Sequence, residues 1–454
     1  AYLRPTVDRY LRRLQAAATP DIAREVLIMR STGGVAPVAS AAANPATILL
    51  SGPAGGVAAA AELATRLGAR RGISFDMGGT STDVCRIEDG EPVITQRTNV
   101  AGYPCLVPTV SIHTGGAGGG SIAWVDAGGS LRVGPQSAGA LPGPAGYGRG
   151  GTEPTVTDAN IVLGRIAPDA VFGDGVAIDL EKAERAVAGL ADRLGLSPVD
   201  AALGIVEVVE SHMERAIGTV SVSEGYDARA ASLIAFGGAG ALHAGALSTR
   251  LGMESVIVPN HAGVFSAVGL LLSPVRIDVT TPSLDLRPEG VDRLVERAVE
   301  DARLQFVSAT GSDPQSLELV ALARYAGQSH ELGVSIEAGS GADALLEAFG
   351  AEHRLRNGFA REGDPVELVA VRATATAPSG IAVPAPETEH RPPRRRRVHT
   401  GAGFEEVSVH DRASIAVGSE LAGPAVVEDG GSTIWVPPGY RVLVLGTGEL
   451  ELRR

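Results

Sequence analysis

The stretch Gly72-Ile-Ser-Phe-Asp-Met-Gly-Gly-Thr-Ser-Thr-Asp-Val84 constrains this chain more than any other. A short apolar run, readable as a strand from Ile73 to Met77, delivers Asp76 near its end. Gly78 and Gly79 follow, then the hydroxyls of Thr80, Ser81 and Thr82, then a second acid, Asp83. Glycines let a backbone approach a ligand closely and present bare N–H donors to oxygens. Hydroxyls add donors for the same oxygens. A carboxylate at a strand end holds a divalent cation or orients a water. The combination suits a metal-chelated phosphate, with Asp76 as the catalytic and metal-side carboxylate and Gly78, Gly79, Thr80 and Ser81 as the grip. The alternative is a plain Gly-Gly hairpin with polar flanks, which needs neither the leading acid nor three hydroxyls. Asp83 either joins the site or caps the next segment.

Other glycine motifs punctuate the first 260 residues. Ser51-Gly-Pro-Ala-Gly-Gly56 opens a helix expected over 57–67, after a strand expected over 46–50. Its turn is either an anion site, through free N–H groups and the helix dipole, or a simple cap. His113 begins Thr114-Gly-Gly-Ala-Gly-Gly-Gly120 at the end of an expected strand over 107–112. It is read either as a satisfied structural histidine or as a catalytic, substrate-side group. Asp158, in Thr155-Val-Thr-Asp158, is either a second catalytic carboxylate or a helix cap. The strand Ser232–Phe236 runs into Gly237-Gly-Ala-Gly240 and a helix. Gly237, Gly238 and Gly240 either let a nucleoside lie against bare backbone or permit close helix–strand packing. His243, one turn into that helix, reads as structural.

Those motifs, taken in order, resemble the hydantoinase A / 5-oxoprolinase family. The resemblance rests on Leu50-Ser-Gly-Pro-Ala-Gly-Gly-Val57, on His113 to Ala123, and on Gly148-Arg-Gly-Gly151 with Thr155-Val-Thr-Asp-Ala-Asn160. It continues through Ala235-Phe-Gly-Gly-Ala-Gly-Ala-Leu-His-Ala244, Gly423-Pro-Ala-Val-Val-Glu428 and Val436-Pro-Pro-Gly439. Family members usually carry Pro where Ala241 stands and Asn where His212 stands. The phosphate-loop motif is similar to those of actin and the sugar kinases. The resemblance implies an α/β, actin-like (ribonuclease H-like) ATPase lobe, with ATP and Mg²⁺ as cofactors. It implies phosphorylation of the carbonyl oxygen of a small cyclic amide or ketone, followed by attack on the activated carbon in a B-type partner subunit. Hydrolysis of a hydantoin, 5-oxoproline or related lactam and carboxylation of a ketone share these motifs. A third reading is a nucleotide-binding or scaffold fragment inactive alone. Members of the family carry a further Asp-x-Gly-Gly-Thr loop in a preceding domain, whereas this chain has one such loop. It therefore reads as a fragment or split-gene product that needs a separate N-terminal lobe.

The domain organisation expected is a connecting helix over 1–22, an actin-like domain over 23–280, an α+β subdomain over 281–380 and a small all-β module over 381–454. A Pro-rich linker is expected over 382–393, and the arginines 394–397 read as a solvated run or an acidic-partner contact. Composition excludes other classes. A net charge of −13 argues against nucleic acid or an anionic membrane surface as the main partner. No apolar run is long enough to span a membrane. With only Cys85 and Cys105, a disulfide framework is excluded and a cytoplasmic setting is expected. No Ser-His-Asp order, CxxC spacing or Walker loop is present.

Overall fold

A computed structural model describes residues 3–18, 26–95, 98–100, 102–105, 107–172, 175–383 and 391–454. The chain divides into two compact units, 1–30 with 34–45 and 272–381, and 31–33 with 46–271 and 382–454.

The larger unit is built on a nine-stranded mixed sheet. Its order is His113–Gly115, Thr82–Glu88, Arg71–Met77, Ser232–Phe236, Ser255–Val258, Leu450–Arg453, Arg441–Val444 and Glu420–Ala422, with Glu91–Pro92 beside Thr82–Glu88. Arg71–Met77 and Thr82–Glu88 form an antiparallel hairpin. Ser232–Phe236 is parallel to both Arg71–Met77 and Ser255–Val258. Parallel neighbours need a crossover, and the helix Gly240–Leu251 supplies it. The long helix Pro198–Val220 carries Val206, Val209, Met213, Ile217 and Val220 inward, and Leu180–Leu194 packs beside it. Ser197 and Asp179 cap these two helices by accepting from Asp200 N and Lys182 N. Asp89-Gly90, a dipeptide suited to a tight hairpin, turns one between Thr82–Glu88 and Glu91–Pro92, with φ of 49° and 82°.

Three expectations change here. Residues 46–50 form a 3₁₀ turn over Pro45–Ile48 rather than a strand, because Pro45 lacks an N–H to pair. The C-terminal region is not one separate β module. Arg394–His399, Phe404–Asp411, Ala425–Asp429 and Ser432–Val436 form their own four-stranded sheet, but the strands at 420–422, 441–444 and 450–453 extend the main sheet. The reason is burial: Val442, Leu450 and Leu452 share one core with Ile73, Phe75 and Val256, and they cover what would otherwise be a bare edge at Ser255–Val258. The arginine run is a strand rather than a linker, with Arg394 and Arg396 paired to Glu428 and Arg397 over Phe404. Most of the expected Pro-rich linker lies outside the described residues.

The smaller unit is an α+β layer. Its six strands run in the order Leu27–Met29, Val35–Pro37, Val275–Pro282, Val366–Ala377, Ser316–Tyr325 and Leu332–Ser335. Helix Val291–Thr310 buries Val295, Ala298, Ala302 and Phe306 against Val371, Ala373 and Ala375. The subdomain thus exceeds the expected 281–380, because the strands at 27–29 and 35–37 complete its sheet. Arg30 is tied to Asp278 at 2.8 Å within this unit. Helix Arg4–Ala17 buries only Leu11.

Candidate functional site

Asp76 and Asp83 are direct partners across the antiparallel ladder and therefore share a face. Burial and the neighbouring Asp83 push the Asp76 carboxyl up to about 6, against a hydrogen bond from Ser266 Oγ to its Oδ2 at 3.0 Å. Burial also raises Asp83, whose Oδ1 accepts from Thr114 Oγ1. Between the two acids lies the turn. Gly78 N–H donates to Ser81 O at 3.1 Å, which leaves Gly79 and Thr80 exposed at the tip. A Cβ on Gly78 or Gly79 would meet nothing within 4 Å, so an incoming group has room against this backbone. Thr82, grouped with the other hydroxyls in the sequence, instead turns inward and donates to Ala117 O.

The loop after His113 is laid directly on this turn. Gly119 N–H donates to Gly78 O at 3.0 Å and Gly120 N–H to Gly79 O at 2.6 Å. A Cβ on Gly118 would stand 2.6 Å from the Thr80 carbonyl carbon and 2.7 Å from its nitrogen. Thr157 holds the loop from behind, through N–H and Oγ1 bonds of 2.8 and 2.9 Å to Gly119 O. Those backbone contacts explain the glycine run better than ligand contact does.

The third wall comes from residues 237–240. Gly237 has a φ of 80°, and a Cβ there would lie 2.4 Å from Met77 O and 2.5 Å from Asp76 Oδ1. Ala239 N–H donates to Met77 O at 3.0 Å. Gly237 therefore serves close packing at the strand ends, Gly240 is buried with ordinary room for a Cβ, and only Gly238 is exposed. The expected ligand-facing role of all three glycines narrows to Gly238.

Ser266 was not legible in the sequence. It starts the helix Phe265–Leu272, and a Cβ on Gly56 would lie 2.6 Å from its Oγ. The Gly-Gly pair of Ser51–Gly56 is thus buried packing that lets Ser266 reach Asp76. The helix begins at Ser51, earlier than expected, with no side-chain cap.

His113 lies in the strand His113–Gly115 beside Val84. It opens on a cavity of about 460 Å³ that Trp124, Arg132, His212 and Arg215 also line. Among the described residues, no Asp or Glu lines it. His212 is held below its ordinary value by burial and by Arg215 and Arg132.

Asp158 stands apart. It is fully buried and accepts from Ala145 N, Gly146 N, Thr155 N and Thr155 Oγ1 at 3.2, 2.7, 2.9 and 2.7 Å. With Thr155 it completes a capping box on the helix Val156–Val162. Its lone pairs are spent on structure, so the catalytic alternative falls. Asp158→Ala is expected to strip a cap and strand several buried donors, lowering stability by roughly 3 kcal/mol or more. Thermal unfolding checks this, and an unchanged Tm would contradict it. His243 is structural as expected, buried with Nδ1 3.1 Å from Glu210.

The arrangement fits one hard cation held by Asp76 together with water and phosphate oxygens. Two opposed carboxylates with raised affinity for protons gain from a positive charge between them, and no group of three or more ligating side chains exists among the described residues.

The hydantoinase/oxoprolinase family model matches residues 1–279. The chain belongs to this family. It is 34% identical to caprolactamase subunit alpha of Pseudomonas jessenii, over 100% of this chain and 68% of that protein. It is 32% identical to 5-oxoprolinase 1 of Arabidopsis thaliana, over 100% of this chain and 38% of that one. A solved nucleotide-free acetone carboxylase superposes with a TM-score of 0.83 at 25% identity, over 99% of this chain and 67% of its own. The expected actin-like α/β fold holds in this hydantoinase/oxoprolinase relative. None of its helices among the described residues is long and apolar enough to cross a membrane.

Proposed function

We propose that this chain is the nucleotide-binding subunit of an ATP-dependent cyclic-amide hydrolase, acting on a hydantoin, 5-oxoproline or a related lactam. The observation that carries the reading is the exposed Gly79-Thr80 tip flanked by Asp76 and Asp83 on one sheet face. The names of the relatives, caprolactamase and 5-oxoprolinase, support the substrate class.

In this reading ATP supplies the phosphoryl group, which passes to the amide carbonyl oxygen and makes it a leaving group. Water then adds to the carbonyl carbon, the C–N bond breaks with nitrogen leaving as the amine, and a second water splits the resulting acyl phosphate, giving ADP, phosphate and the opened amino acid. The backbone at Gly79, Thr80 and Ser81 holds phosphate oxygens. Asp76 would hold Mg²⁺, which would supply charge neutralisation to the phosphate. Ser266 fixes the Asp76 rotamer through its hydrogen bond. His113 faces the amide from its cavity and polarises or protonates it. Cys85 is buried and its thiol is pushed up to about 12, which removes it as a nucleophile. The attack on the activated carbon belongs to a B-type partner, a reading supported by the subunit designation of the caprolactamase relative. The two unpaired cysteines favour a cytoplasmic setting. A ketone carboxylase subunit is the second reading, favoured by the TM-score of 0.83 to acetone carboxylase.

Reconstitution with a B-type subunit decides between them. Lactam opening without bicarbonate is expected, and carboxylation that requires bicarbonate would replace the first reading by the second. The chain without the B-type subunit is expected to yield no product. In the reconstituted enzyme, His113→Ala is expected to cost about 10²-fold in kcat/KM for the amide while leaving ATP affinity unchanged. Equal loss of ATP affinity would remove His113 from the substrate side.

A further inference from the structure

A second cavity, of about 610 Å³, lies elsewhere in the larger unit and shares no residue with the phosphate turn or the His113 cavity. Its size is that of a small-molecule site. Arg165 reaches it from just beyond the helix Val156–Val162, and its residue is only 8% exposed. The guanidinium lies over the Trp435 ring, 5.5 Å from the centroid. Its Nε is buried without a hydrogen-bond partner, and among the described residues the guanidinium makes no hydrogen bond or ion pair. Burial penalises its charge, and the group it rests on is the Trp435 ring rather than an anion.

The acids nearest to it are already committed. Glu210, buried, faces His243 Nδ1 at 3.1 Å and Arg250 Nε at 3.7 Å. Glu207 pairs with Arg250. Glu210 does exert an attraction on Arg165 through space, which partly offsets its burial. Trp435 and Tyr440 with prolines 437 and 438 form one side of the cavity, Ala246 and Thr249 come from the helix Gly240–Leu251, and Thr400 and Arg454 add polar groups to the lining. The Tyr440 hydroxyl is fixed by Ser248, Thr249 and Gly245 O, so the wall is rigid.

We propose that this cavity binds a small amphipathic anion, with a carboxylate or phosphate on the Arg165 guanidinium and an apolar body against Trp435 and Tyr440. An oxyanion there would give Arg165 the charge-assisted hydrogen bonds it lacks. The Gly240–Leu251 helix starts at the strand end beside Asp76 and presents Ala246 and Thr249 to the cavity, so an occupant touches an element that also shapes the phosphate site.

The chain has two tryptophans, Trp124 in the His113 cavity and Trp435 here. Trp124→Phe leaves Trp435 as the sole reporter. Titrating that variant with benzoate and with phenyl phosphate is expected to give a saturable change in Trp435 emission, matched by calorimetry, whereas benzyl alcohol gives none. Response to both anions means the site reads charge. Response to one alone identifies carboxylate or phosphate as the preferred headgroup. Either supports the proposal. Arg165→Gln is expected to weaken binding at least tenfold. Because that variant removes a buried contact with Trp435, Ala246→Leu, which fills the cavity and keeps Arg165, is measured beside it and is expected to lose binding equally. No saturable response to either anion up to its solubility limit, equal binding of benzyl alcohol, or unweakened binding by a folded Ala246→Leu would overturn the site.

Discussion

Asp76→Asn is expected to abolish turnover in the reconstituted enzyme and, without nucleotide or metal, to make the fold more stable. The loss follows from the position of the carboxylate beside the phosphate turn, where removing the charge costs about 10³-fold or more in rate. The gain follows from burial. The Asp76 carboxyl is raised from 3.8 to about 6 in the folded chain, so its ionised form is what the fold tolerates poorly. A shift of that size corresponds to roughly 3 kcal/mol. The sign is fixed: a carboxyl with a raised folded value penalises the fold fully above pH 6 and not at all below its unfolded value near 3.8. Asn keeps an acceptor for the Ser266 hydroxyl and carries no charge. The variant should therefore unfold at higher denaturant than the parent at pH 8 in EDTA, with the difference fading toward pH 4. Parent-like turnover, or equal stability at pH 8, would show that Asp76 is not a carboxylate kept at a cost for function.

Gly118→Ala is expected to damage the phosphate turn from outside it. The added methyl would stand 2.6 to 2.8 Å from backbone atoms of Thr80 and Gly79, where ordinary contact begins at 3.4 Å. Backbone cannot rotate away as a side-chain tip can, so the turn must move by most of an ångström. Misplacement on that scale costs about 10²-fold in rate, and the overpacking costs roughly 1–3 kcal/mol of stability. Calorimetric titration with ATP and a thermal melt check both. Gly116→Ala, whose methyl would meet Pro135 at an ordinary 3.6 Å, should leave the melt unchanged. If Gly118→Ala binds ATP as the parent does, the stacking of the two loops does not shape the nucleotide site.

The cavity behind His113 and the turn beside it carry opposite character. One is lined by His and Arg side chains without an acid, the other by two carboxylates that need a cation. In the proposed reading, charge neutralisation falls at the phosphate end and the His113 cavity takes the substrate carbonyl.

Much of this was written in local sequence. Strand Ser232–Phe236 and helix Leu180–Leu194 fall where periodicity puts them, and the hairpin at Asp89-Gly90 forms where its turn chemistry demands. The acid–Gly-Gly–hydroxyl turn was legible because a strand end, two glycines and two acids within eight residues leave few alternatives. Neighbours distant in sequence decided the rest. Asp158 reads in sequence as either a catalytic carboxylate or a helix cap; Thr155 makes the cap locally, and the approach of Ala145 and Gly146 takes up its remaining lone pairs. Gly237 reads as a ligand-facing glycine or as a packing one, and only the contact with Met77 shows that backbone fills its missing Cβ, as Thr80 does at Gly118. Ser266 carries no motif at all, yet the bare Cα of Gly56 lets it reach Asp76. The C-terminal strands alternate as any β module would, and burial beside Val256 drew three of them into the main sheet. Period and turn chemistry act over a few residues, so the chain alone determines which elements exist and where the phosphate turn lies. Which edge a strand covers, and which glycine faces a neighbour, depends on apolar surface and close approach between segments tens to hundreds of residues apart, and the tertiary structure alone decides that.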